Sequence, residues 1–102
     1  MLASFSIIPL GVGEELSAHV ARMLDVIDKS GLDYKLGAMQ TTVEGDFDAV
    51  MALIRECHML MQKEAPRVLT SITIDDRTGA SGRLNGKISD VEKQLGRTLS
   101  HE

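Results

Sequence analysis

The chain has 102 residues, 43% of them hydrophobic and 25% charged, which is enough apolar content for one small folded domain and too much for a disordered chain. A net charge of −4 and an aromatic content of 3%, with no tryptophan, argue against a basic, ring-bearing surface for nucleic acid. The lone Cys57 rules out an internal disulfide and a zinc cluster of several thiolates. One unpaired thiol, no apolar run of membrane-spanning length and no positive region ahead of MLASFSIIPLG together lead to the expectation of a cytoplasmic protein with no membrane partner.

In chain order, LASFSII (Leu2–Ile8) reads as a strand stopped by Pro9, and LGVGEE as a turn loosened by Gly11 and Gly13. Leu16, Val20, Met23, Leu24 and Ile27 recur at spacings of three and four, the stripe of an amphipathic helix that Ser30-Gly31 ends. Extended character resumes through Tyr34, and Met39–Glu44 is a short third strand after a turn at Gly37. Asp46 is a suitable N-cap for a second helix, whose apolar face carries Phe47, Val50, Met51, Ile54, His58 and Met61 and which runs to about Lys63. Pro66 disfavours helix in the residue before it, and RVLTSITID (Arg67–Asp75) is the clearest strand. DRTGASGRLNG reads as a loop, and Ile88, Val91 and Leu95 mark a terminal helix closed by Gly96.

The order β α β β α β plus a helix predicts a single α+β domain over residues 1–102, a ferredoxin-like βαββαβ sandwich. Its four-stranded antiparallel sheet should carry both long helices on one face and leave the other bare. Alternation along each strand sorts side chains between the two faces. Ala3, Phe5 and Ile7 suit the core and leave Ser4 and Ser6 opposite. Met39, Thr41 and Val43 likewise leave Gln40, Thr42 and Glu44, and Val68, Thr70, Ile72 and Ile74 leave Leu69, Ser71, Thr73 and Asp75. Three strands thus put hydroxyl-bearing residues on the uncovered side, a composition that suits a subunit seam or a polar pocket better than a core or a solvated face. Glu44 and Asp75 have no sequence-local basic partner on that face, so a cationic guest would satisfy them.

Other constellations carry less chemistry. GVG (Gly11–Gly13) lacks the third glycine of a dinucleotide loop and is followed by Glu14 and Glu15, which repel a pyrophosphate. His19 falls off the main helical stripe and is expected in solvent, His58 is expected in the core or an interface beside a buried Cys57, and His101 in a frayed tail. Asp75, Asp76 and Arg77 suit a strand-end ion pair, and metal ligands do not recur at a recognisable spacing. No nucleophile, base and orienting group assemble, so no catalytic residues, metal or cofactor are expected.

IPLG (Ile8–Gly11), VARMLDVIDKSGLDY (Val20–Tyr34), TVEGDFDAV (Thr42–Val50), RVLTSITIDDR (Arg67–Arg77) and Gly86-Lys87 together resemble the thiamine-binding protein family across nearly the whole chain. The resemblance implies a ferredoxin-like subunit that dimerises through its sheets and goes on to a homotetramer, and that binds thiamine or its hydroxymethylpyrimidine portion without chemistry. One departure stands out. Where the family usually reads like PMGT, this chain has AMQT (Ala38–Thr41), with Gln40 in the place of a glycine. Joined to the sorting of faces, the resemblance implies Ser4, Ser6, Thr42 and Ser71 as hydrogen-bonding lining, Gln40 as a modifier of the pocket, Glu44 as countercharge and Tyr34 as a stacking surface. The alternatives are a structural or regulatory homo-oligomer without a ligand, and an anion-binding module at the Gly11–Gly13 turn.

Overall fold

The computed structural model describes residues 1–79 and 82–99, with the side chains of Glu15, Asn85 and Lys87 excepted. His101 lies outside the described residues. The elements are β1 (Leu2–Leu10), α1 (Leu16–Lys29), β2 (Asp33–Leu36), β3 (Thr41–Glu44), α2 (Phe47–Glu64), β4 (Arg67–Asp75) and α3 (Arg83–Leu95). All strands pair antiparallel in the order β2-β3-β1-β4, the ferredoxin-like order expected from the sequence.

Local chemistry accounts for the boundaries. Asp46 caps α2 through a hydrogen bond from Ala49 N to its Oδ1 (2.8 Å), and Ala65 before Pro66 is extended, as proline requires of its predecessor. Gly31 and Gly96 follow α1 and α3 at φ +80° and +71°, the left-handed stop that glycine accepts without strain. Gly11 is held at φ +81°, where an added Cβ would stand 2.7 Å from Pro66 Cγ. The glycine therefore lets the chain leave β1 against the entry to β4. A 3₁₀ turn (Gly13–Glu15) separates it from α1, so the glycines shape a turn instead of opening the first helix toward an anion.

The core lies between the sheet and the two long helices. It is built from Ala3, Phe5 and Ile7 of β1, Val43 of β3, Met23 and Ile27 of α1, and Val50, Leu53, Ile54, Cys57 and Met61 of α2. The predicted sorting of β1 holds, since these β1 residues are buried while Ser4 and Ser6 are not. Several placements differ. Met39 is 85% exposed, because β3 starts only at Thr41 and residues 37–40 form a turn closed by Gly37 N to Gln40 O (2.8 Å). Leu16 and Phe47 are exposed at the first turns of their helices. His19, expected in solvent, is buried, because it stands four residues from Met23 on the face that meets α2.

The far face of the sheet is not entirely bare. The segment 83–86, expected in a loop, is the first turn of α3, which packs against β3 and β2 and covers one end of that face. Among the described residues no helix is long and apolar enough to cross a membrane.

Candidate functional site

The strand registers fix the layout of the open face, because directly opposed residues in an antiparallel ladder project to the same side. One row runs Lys35, Thr42, Ser4, Thr73; the next toward the β1 C-terminus pairs Ser6 with Ser71; beyond it Ile8 stands opposite Leu69. On the other side of the Ser4 row lie Asp33, Glu44, Leu2 and Asp75. The hydroxyls of Ser4, Ser6, Thr42 and Ser71 are thus contiguous, as strand parity required. Lys35 and Thr73 complete the patch. Lys35 escapes a reading confined to β3, and only its pairing with Thr42 reveals it.

Gln40 belongs to the turn instead of to β3, yet its side chain reaches the same row: the Ser4 hydroxyl donates to Gln40 Oε1. Two other expected site residues are placed differently. Tyr34 pairs with Val43 and so projects to the helix-covered face, where its hydroxyl donates to Asp28 Oδ1 (2.5 Å) and is thereby held protonated above its usual range. It cannot stack on a ligand held by the Ser4 row. Glu44 is on the open face, but its carboxylate already has partners. Oε2 accepts from Arg83 N (2.8 Å) and Oε1 from Leu84 N (3.2 Å). The backbone hydrogen bond from Arg83 is the main cause that holds this carboxyl below its ordinary range. The N-cap residue of α3 is Gly82, which has no side chain to cap with, so Glu44 supplies the cap from across the fold.

Beside the hydroxyl patch the sheet has a notch. β1 pairs with β3 only from Leu2 to Phe5, while its ladder with β4 continues to Leu10. Beyond Phe5 the β3 side of β1 is flanked by the 37–40 turn and α1. A cavity of about 300 Å³ occupies this place, walled by β1 from Phe5 to Ile8, by Val20, Met23 and Leu24 of α1, and by the chain from Leu36 to Thr41. Ser6 and Gln40 border both the cavity and the open face. Sequence reading found these two but not the walls from α1, whose spacing marks them as ordinary core.

Several titratable and nucleophilic groups elsewhere are engaged in structure. Cys57 is fully buried, and burial pushes its thiol up to about 11. His58 Nδ1 lies 2.7 Å from Thr70 Oγ1, joining α2 to β4. Glu64 Oε1 receives Arg22 Nε (2.8 Å) and lies 2.5 Å from His19 Nδ1, a cluster that fastens α1 to the end of α2.

Strand order, open hydroxyl face and notch together describe a small α+β domain of ferredoxin-like type. Residues 3–92 match the family described as thiamine-binding protein, and the chain belongs to that family. It is 32% identical over 91 residues to UPF0045 protein MJ1052 of Methanocaldococcus jannaschii, covering 89% of this chain and 91% of that protein. It is 38% identical over 96 residues to UPF0045 protein Mb1933 of Mycobacterium bovis, covering 93% and 94% respectively. The crystal structure of MJ1052 has the same fold, with a TM-score of 0.81 over 90% of this chain and 95% of that one. Protein TM0486 of Thermotoga maritima, provisionally assigned to thiamine biosynthesis or salvage, matches at a TM-score of 0.77 and 26% identity, over 88% of this chain and 96% of that one.

Proposed function

We propose that this chain binds thiamine or a related hydroxymethylpyrimidine, without transforming it, as a cytoplasmic homo-oligomer whose subunits meet through their sheets. The observation that carries the reading is the register that makes Ser4, Ser6, Thr42 and Ser71 contiguous on the face the two long helices leave open, with Gln40 beside them. Hydroxyl and amide groups both donate and accept, as an aminopyrimidine requires. Binding without catalysis is supported by the engagement of the reactive groups: a buried thiol held protonated, one histidine tied to Thr70 and another to Glu64. Family membership supports the ligand class.

Calorimetry with thiamine and with hydroxymethylpyrimidine tests the reading, and a melting curve provides a second readout. A ligand at about 100 times its Kd stabilises a protein by about 2.7 kcal/mol, which for a domain of this size is on the order of 10 °C in Tm. Neither heat nor a shift at millimolar ligand would overturn it. A specific observation favours a second reading, a homo-oligomer with a structural or regulatory role and no ligand. Ile8 and Leu69 stand together on the open face, 41% and 49% exposed, as the core of a subunit seam would. Native mass spectrometry of protein from its own cells separates the two by reporting subunit number and retained small molecules together.

A further inference from the structure

We infer that α3 is an arm exchanged between subunits: the apolar stripe of its second half lies across the Ile8–Leu69 pair on the sheet of a second copy, whose own α3 returns the contact. This rests on the homo-oligomer reading and says what each copy gives the other.

The stripe of α3 is Leu84, Ile88, Val91 and Leu95, at spacings of four, three and four, which is one side of a helix. Within the subunit it is used unevenly. Glu44 holds the first turn through Arg83 N and Leu84 N, and Leu84 and Ile88 are partly buried in a helix that packs on β3 and β2. Val91 and Leu95, by contrast, are 50% and 51% exposed. A helix of 13 residues has little stability alone and depends on burying its apolar side. Yet the second half of α3 stays helical to Leu95 and is firmly closed, with Gly96 N donating to Glu92 O (2.8 Å) and Leu99 N to Glu92 Oε2 (2.6 Å). A helical end so terminated, with its aliphatic side turned out, calls for a cover.

The open sheet face has a matching patch. Ile8 and Leu69 stand opposite each other, 41% and 49% exposed. They lie six positions along β1 from the Leu2–Glu44 row, about 20 Å from the cap of α3. Arg67, opposite Leu10, borders this pair, and Glu92 borders the α3 stripe, so the charges beside the two patches are of opposite sign. A stable dimer buries about 800 Å² on each partner, more than two half-exposed aliphatic side chains supply. Arms exchanged about a twofold axis use both patches twice over and close the assembly. A one-way contact would instead leave a stripe and a patch uncovered at the ends of an open chain.

The test is disulfide capture on the full chain, in which the native Cys57 is fully buried and takes no part. Leu69→Cys and Val91→Cys chains, one of them carrying a mass tag, are mixed, dissociated by dilution, reassociated and oxidised. The mixture should give a crosslinked dimer with one chain of each kind, in at least tenfold higher yield than either variant alone. Val91→Asp, at a half-exposed position, should keep the Tm of the parent. It should weaken association by roughly tenfold or more, read by light scattering over a dilution series, because its carboxylate loses hydration against Leu69. Leu69→Cys chains that crosslink chiefly to one another would overturn the exchanged arm and leave the homo-oligomer reading standing. So would a disulfide that forms only within a chain carrying both cysteines, or a Val91→Asp chain that associates as the parent does. A parent chain that stays monomeric at every concentration would end both.

Discussion

His19 shows how a long-range contact decides the role of one residue. Its spacing to Met23 and Ile27 is that of a buried stripe, but a histidine in that register reads as polar until Glu64 arrives from the end of α2 to join Arg22, its neighbour one turn along α1. Glu64 accepts from Arg22 and lies beside His19, with its side chain largely enclosed. The Arg22 hydrogen bond is the main cause that lowers its carboxyl from 4.5 to about 2, with His19 adding to it against the opposing effect of burial. A folded value below the unfolded one means the pairing contributes in full above the ordinary carboxylate range and is lost as the pH falls from about 4.5 toward 2. Glu64→Gln should therefore be less stable than the parent at neutral pH, and the two should converge on acidification through that window. Urea midpoints measured along the pH series check this, and parallel curves would show that the cluster contributes nothing specific.

At the scale of elements, periodicity made the two long helices and β4 legible and alternation sorted the faces of β1, although β1 runs on through Pro9, where a stop was expected, to Leu10. What stayed hidden depends on partners remote in sequence. Tyr34 was open to a site role because β2 is short and its parity ambiguous; the pairing of Tyr34 with Val43 settles its face. The start of α3 was invisible because Gly82 and Gly86 interrupt the helical pattern and the cap that stabilises the first turn comes from Glu44, 39 residues before Arg83. Glu44→Ala should accordingly act on α3 more than on the rest of the fold. Loss of a cap costs about 1 kcal/mol, so amide exchange at Arg83 and Leu84 and through the first turn of α3 should quicken by roughly fivefold, while core amides of β1 and α2 change little. Uniform acceleration throughout the domain would mean that α3 is not a separately tethered element.

For the whole molecule, the question is which surface a second copy covers. The sheet has one face filled by α1 and α2 and another that α3 covers only at the Glu44 end. Hydroxyl parity was readable because it needs only a period of two. The apolar pair beyond it was not, since only the register of β1 against β4 brings Ile8 opposite Leu69. Their pairing in register makes them a joint patch next to Ser6 and Ser71, and β4 is an edge strand nine residues long beside it. Ile72 and Ile74, although they project to the helix side, remain 40% and 41% exposed, so β4 is incompletely covered on both faces. Such an edge invites pairing with another chain. Leu69→Lys places a charge in the middle of that patch without touching the buried core. If subunits meet through this part of the sheet, the lysine loses hydration on association. The variant should then elute with the mass of a smaller assembly under light scattering, at concentrations where the parent is an oligomer, with an unchanged circular dichroism spectrum. A Leu69→Lys chain that assembles like the parent would place the seam elsewhere and leave Ile8 and Leu69 as surface residues.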